Sequence, residues 1–237
     1  MDLLALAGMG ITVGGTEAVH RQRLLDREAE GPERLEEFYI DVFCDAKSRK
    51  REEVHGASVV LEDGRVRLWP KDPKRQMPAK GRDGRKAPHA FMGFYLPFPM
   101  DELPHRPIPY TPVLGLVSTI PSTTPTPSAK STSKPKLHWL YADPNTRELR
   151  YGPRAEAKKH VIGHWDWTDD EQGLTLEGEE CFVAVEEENG GYGWAVYWDR
   201  EDDCLKGIGV GEKKRVLRCS LERRLVEERE IGGLGED

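Results

Sequence analysis

The chain lacks the short motifs that mark common catalytic centres. No Gly-x-Ser-x-Gly elbow, no His-Glu-x-x-His pair and no Cys-x-x-Cys occurs in its 237 residues. These absences remove, in turn, the exposed serine of the α/β-hydrolases, the helical zinc pair of the metalloproteases and the dithiol of thioredoxin-like redox centres. There is no Asn-x-Ser/Thr acceptor either, because Asn145 is followed by Thr-Arg and Asn189 by two glycines. The longest apolar run, Leu3 to Val13, falls well short of the ~20 residues of a membrane helix. It has no basic residues ahead of it, so no secretory leader is expected. The four cysteines, Cys44, Cys181, Cys204 and Cys219, then read as reduced thiols of a cytoplasmic protein.

Hydrophobic residues are scarce at 37%, and charged ones plentiful at 32%. A core of ordinary density therefore requires some segments to stay outside it. The net charge is −7, and residues 136–237 carry nine more acidic than basic side chains. Such a surface disfavours nucleic acid and anionic lipid.

What remains has β texture. Phe38 to Cys44 is rich in strand formers, and Val59-Val60-Leu61 and Val66-Arg67-Leu68-Trp69 flank Asp63-Gly64, a strong hairpin signal. Further strands are expected at Phe91–Leu96 and Val113–Ile120. Leu137–Tyr141 and Glu148–Tyr151 flank the turn Asp143-Pro144-Asn145-Thr146. Cys181–Val185 faces Trp194–Trp198 across Gly190-Gly191, and Arg215–Leu221 forms a last strand. His160–Gly163 and Leu174–Leu176 add short ones, and Glu222 to Glu230 reads as helical. No internal repeat stands out. The fold expected is mainly β, a β-sandwich or partly open barrel of antiparallel hairpins with an N-terminal helix near residues 16–30; α+β is the alternative.

Five segments follow from this reading. Residues 1–37 hold the apolar start and the helix. Residues 38–120 form a β-rich half with a mobile basic loop at 70–89. Residues 121–135 are a Ser/Thr/Pro-rich insertion or linker whose composition favours disorder. Residues 136–224 are a β-rich acidic half, and 225–237 a flexible tail.

Several residue sets could carry chemistry. His160, His164 and Asp166 are spaced so that one strand face would present all three to a metal, although ordinary strand histidines have the same spacing. Asp199, Glu201 and Asp203 match the start of a calcium loop, but Cys204 stands where its glycine should be. Trp165 and Trp167, with Trp194 and Trp198, could build an aromatic platform beside Asp166 for a sugar or planar ligand; a small β core is built from the same residues. Gly207-x-Gly209-x-Gly211 reads as a turn, and Lys47-Ser48-Arg49-Lys50-Arg51 as an exposed connection.

The stretches EEFYIDVFCDAKSRKREEVHG, LHWLYADPNTRELRYG, HWDWT, EGEECFVAVEE, WAVYWDREDD and RVLRCSLERR resemble a family of uncharacterised proteins from filamentous ascomycete fungi. The likeness runs from Phe38 to Arg224 outside the proline-rich segment. It implies a fungal cytosolic or peripheral protein and carries over no functional residue.

The expectation is an intracellular binding or protein-interaction protein without a cofactor, for an unknown protein or small-molecule ligand and not for nucleic acid. Two alternatives stand beside it: a hydrolase or isomerase using carboxylates with His160 or His164, and a peripheral membrane adaptor working through residues 1–25. Catalysis would require at least two of His138, His160, His164, Asp166 and Glu186 to meet in one pocket.

Overall fold

Asp63 and Gly64 turn the chain with φ angles of 50° and 76°. A left-handed pair of this kind suits a two-residue hairpin, because its twist matches the strands it joins. It links β2 (Ser58–Glu62) to β3 (Arg65–Trp69), paired from Ser58↔Trp69 to Glu62↔Arg65. The computed structural model describes residues 32–81, 84, 86–99, 113–120, 136–187 and 192–226. The expected helix at 16–30, the apolar start, the 121–135 segment and the tail beyond 226 lie outside these residues.

Three successive stretches repeat one pattern of an outer strand, a hairpin and a second outer strand. In the first, β1 (Phe38–Phe43) precedes the β2–β3 hairpin, and β4 (His89–Ala90) and β5 (Met92–Pro97) follow it. In the second, β6 (Leu114–Ile120) precedes the hairpin β7 (Lys136–Ala142) and β8 (Leu149–Gly152), and β9 (Trp165–Trp167) follows. In the third, β10 (Leu174–Leu176) precedes the hairpin β11 (Phe182–Glu186) and β12 (Trp194–Trp198), and β13 (Val216–Leu225) follows. The repeat is invisible in the sequence because it conserves apolar character and not residue identity. Phe38, Ile40 and Val42 of β1 correspond to Leu114 and Leu116 of β6 and to Leu174 and Leu176 of β10, all buried.

The six outer strands close a ring. β13 pairs with β1, β1 with β5, β5 with β6 and β9 with β10. Contact between β6 and β9, and the Gly173↔Glu222 bridge from the start of β10 to β13, complete it. The three hairpins meet across one end. Trp194↔Leu68 joins the third to the first, Arg65↔Arg150 the first to the second, and Glu148↔Tyr197 the second to the third. Among the described residues, closure leaves no long strand edge unpaired. Strands from residues 38–120 and from 136–225 therefore share one barrel, and the sandwich alternative gives way to closure.

Aromatic side chains fill the interior. Phe38, Phe91, Tyr95, Trp165, Phe182, Trp194 and Trp198 are all at most 2% exposed. Phe38 lies 5.4 Å from Tyr95, and Trp165 lies parallel to Phe182 at 6.0 Å.

Local expectations differ in three places. His160–Gly163 forms no strand; Val161 makes a single bridge to Ala142 after a one-turn helix, α2 (Arg154–Ala157). Another one-turn helix, α1 (Arg51–Val54), interrupts the basic connection. Residues 222–225 extend β13 and are not helical, because Phe38 to Asp41 supply a ladder for them. In the basic loop, Lys71 pairs with Asp41 at 2.6 Å and the Trp69 indole donates to the Ala79 carbonyl at 2.7 Å.

Candidate functional site

A groove of about 680 Å³ opens beside β9, β10 and β13. Its walls carry His164, Asp166, Trp167, Asp169, Asp170, Glu180 and Glu222. β9 sets His164 just before the strand, Asp166 at its centre and Trp167 at its end. Asp170 belongs to the turn before β10, tied by the hydroxyl of Thr168 and the N–H of Gln172.

Asp166 is held from several sides. Arg34 donates to Oδ1 at 2.5 Å, the Trp167 N–H to the same oxygen at 2.8 Å, and His164 Nε2 lies 3.7 Å from Oδ2. Burial alone would raise its pKa; the neighbouring imidazole of His164 and the hydrogen bonds from Arg34 and the Trp167 N–H outweigh burial and lower it. Asp166 is thus a fixed anion. The second nitrogen of His164, Nδ1, accepts the Leu114 N–H at 3.3 Å. With one nitrogen turned to Asp166 and the other to the backbone, the imidazole has no lone pair left for a substrate proton. Two of the five candidate catalytic groups do meet here, but they face each other.

Glu180 behaves differently. Its carboxylate packs against Gly173, where an added Cβ would lie 2.7 Å from Oε1. Burial raises its pKa, a hydrogen bond from Ser220 offsets part of the rise, and the like charges of Asp170 and Glu222 add to it.

The tryptophans do not form a platform. Trp165, Trp194 and Trp198 are core residues, 0%, 0% and 1% exposed, and the Trp194 indole donates to Glu53 at 3.0 Å. Trp167 is half-buried, and its ring is covered by the chain's own cations. The guanidinium carbons of Arg34 and Arg223 lie 4.1 and 4.3 Å from its centroid. Trp165 is wholly buried in the core, whereas Trp167 packs at its margin, 5.2 Å from the Tyr95 ring.

The three proposed metal ligands do not share a site. His160 stacks on Tyr141 at 4.5 Å and faces Asp143 and Glu156 at 3.7 and 3.5 Å, whereas His164 turns to Asp166. The chain breaks out of strand geometry between them, so even spacing no longer means a common face. Among the described residues no group of three or more His, Cys, Asp or Glu is placed to hold a metal. Asp199 and Asp203 spend their carboxylates on backbone N–H groups: those of Cys204 and Leu205 at 2.8 and 3.0 Å, and those of Lys206 and Gly207 at 3.0 and 2.6 Å. Glu186 pairs with Lys50 and Arg215, and His138 is on β7 beside Tyr151. Sequence reasoning missed Glu180, Glu222 and the arginines over Trp167. Only the outward phase of β13 would have signalled Glu222.

Three units, each an outer strand, a hairpin and a closing outer segment that is split into β4 and β5 in the first, form a ring with their hairpins capping one end, and this defines the β-trefoil architecture. The chain belongs to the fungal β-trefoil domain family, whose model matches residues 14–227. No curated protein and no solved structure matches it. Among the described residues no helix is long and apolar enough to cross a membrane.

Proposed function

We propose that this protein is a non-catalytic binding module whose acid-lined groove takes a positively charged partner, a peptide rich in lysine and arginine. One observation carries the reading: the carboxylates of Asp169, Asp170, Glu180 and Glu222 line one open groove, where burial first, and then the like charges of Asp170 and Glu222, raise the pKa of Glu180. A bound cation would relieve that repulsion. The engaged nitrogens of His164 support binding over catalysis. The four cysteines, none in a disulfide, support a cytoplasmic setting.

The test is calorimetric titration of the full chain with an oligolysine peptide at low and high salt. Binding should weaken with salt, and D170N/E222Q should weaken it about 10-fold. Unchanged affinity in the double variant, or equal affinity for a neutral peptide of the same length, rejects the reading.

A further inference from the structure

Cys44 and Cys219 face each other across the seam that closes the barrel. β1 and β13 pair antiparallel from Phe38↔Leu225 to Phe43↔Ser220, and the next pair in this register is Cys44 with Cys219. Hydrogen-bonded and non-hydrogen-bonded pairs alternate along such a ladder. Val226 donates to the carbonyl of Glu37, the residue opposite it, at 3.2 Å, so that pair is hydrogen-bonded. The even positions of β1 and its extension, Val42 and Cys44 among them, are then non-hydrogen-bonded. The backbone agrees. Val42 donates to the Ala57 carbonyl at 3.0 Å and accepts the Gly56 N–H at 2.8 Å, away from β13. Cys44 donates to His55 Nδ1 at 3.2 Å and accepts Arg51 Nε at 2.7 Å, again away from β13.

A non-hydrogen-bonded pair brings opposite Cα atoms to about 4.5 Å and its side chains closest together. A disulfide spans Cα atoms roughly 4.4–6.8 Å apart. Direct opposition also puts both side chains on one face of the sheet, and both cysteines belong to one core cluster with Val42 and Leu221. Both are free thiols. Burial raises the Cys219 pKa, and the charge of the neighbouring Cys44 raises it further. Access is one-sided. Cys44 is wholly buried, whereas Cys219 is 8% exposed and lines a groove of about 710 Å³ beside β11 and β13. A small oxidant entering that groove meets Cys219 first, with Cys44 behind it. Neither thiol lines the acid-lined groove.

We propose that Cys44 and Cys219 are a redox-sensitive pair, which a hydroperoxide converts to a disulfide that locks the first strand of the barrel to the last. The Cys219 sulfur attacks one peroxide oxygen. An S–O bond forms, the O–O bond breaks, and the departing oxygen leaves with the electron pair and takes up the thiol proton. The Cys44 sulfur then attacks the Cys219 sulfur. An S–S bond forms, the S–O bond breaks, and the hydroxide that leaves takes the Cys44 proton as water. Both thiols are oxidised and the peroxide is reduced, with no other reactant. Burial holds the thiols protonated, so the reaction is slow and answers to sustained oxidation.

The test uses the full chain and its C181S/C204S variant, which removes the two half-buried thiols and keeps the core pair. Hydrogen peroxide should lower the mass of C181S/C204S by two hydrogens. Peptide mapping without reduction should give a linked peptide holding Cys44 and Cys219 in both proteins. The linked form should melt about 5–10 °C higher, because the cross-link closes a long loop, and dithiothreitol should reverse the rise. C44A and C219A should show neither the linked peptide nor the rise. Circular dichroism checks that each variant is folded, and the mapping of the parent chain stands whether or not they are. Oxygen added to Cys219 without the link, a link between two chains, no reaction before denaturation, or a linked form that melts no higher than the reduced one overturns the proposal.

Discussion

Arg65 of the first hairpin holds Glu187, just beyond β11 of the third, at 2.6 Å. The same guanidinium reaches Glu148, from the hairpin of the second unit. Tyr197 donates to Glu187 at 2.7 Å, and Lys214 approaches it at 3.2 Å. One cation therefore ties together all three units where their hairpins meet.

Replacing that anchor should be costly. R65M leaves Glu148 and Glu187 without their shared cation, and the expected loss is about 1.5–3 kcal/mol, the range for hydrogen bonds to charged groups. Urea unfolding followed by tryptophan fluorescence measures it. Stability unchanged in R65M would mean that the hairpins hold together by apolar packing alone.

Acid should weaken the fold through Glu187 and Asp166. In Glu187, burial raises the pKa, but the Tyr197 hydrogen bond and Arg65 outweigh it; both groups end with lowered values. A carboxyl whose folded pKa is depressed contributes stability above its unfolded pKa and loses it as pH falls through the folded value. The loss should therefore set in below about pH 4.5 for Glu187 and below about pH 3.8 for Asp166. In melts across this range, E187Q and D166N should flatten the acid limb. A limb as steep in both variants as in the parent would assign it to other groups.

Glu180 carries the opposite sign. Its folded pKa is raised, so its contribution is full below the unfolded pKa and lost as pH rises through the folded value. E180Q should then melt higher than the parent at pH 7 and equally at pH 4. Because the side chain is largely exposed, the gain should be only a few tenths of a kcal/mol. A lower melting temperature at pH 7 would contradict the repulsion on which the proposed binding reading rests.

Two substitutions probe the interior. W165A removes a wholly buried ring stacked on Phe182, at an expected cost of about 3–5 kcal/mol. G93A places a Cβ 1.9 Å from the Val117 carbonyl oxygen and 2.6 Å from the Phe91 ring, where β5 crosses between β1 and β6. Backbone cannot yield there, so G93A should abolish soluble, folded protein. A native-like melt for G93A would disprove that close approach.

Local features were legible in the sequence and distant ones were not. The turns at Asp63-Gly64 and Asp143–Thr146 are set by their own residues, so both hairpins could be read directly. Ring closure depends on β1 meeting β13, and the cap on β3 meeting β12, pairings between residues more than a hundred positions apart. The same distance effect explains Glu222–Leu225. Their charges suggest a helix, but Arg224 finds Asp41 across the ladder at 3.0 Å, and a strand results. Periodicity could place Trp165 and Trp167 on one strand; it could not say that two arginines would cover the second. Of the acid-lined groove, Asp166 and its tryptophan neighbour stood out early, whereas Glu180 and Glu222 enter only through the contact of β10 with β13.

The strand that opens the barrel lies directly against the one that finishes it, Phe38 opposite Leu225 through to Phe43 opposite Ser220. The first and last strands of the described barrel thus lie side by side. A short linker could splice them and a fresh start be cut at the exposed Asp63-Gly64 corner, with every ladder intact. Removing the final ten residues of β13 would instead strip β1 and β11 of a shared neighbour and open the barrel.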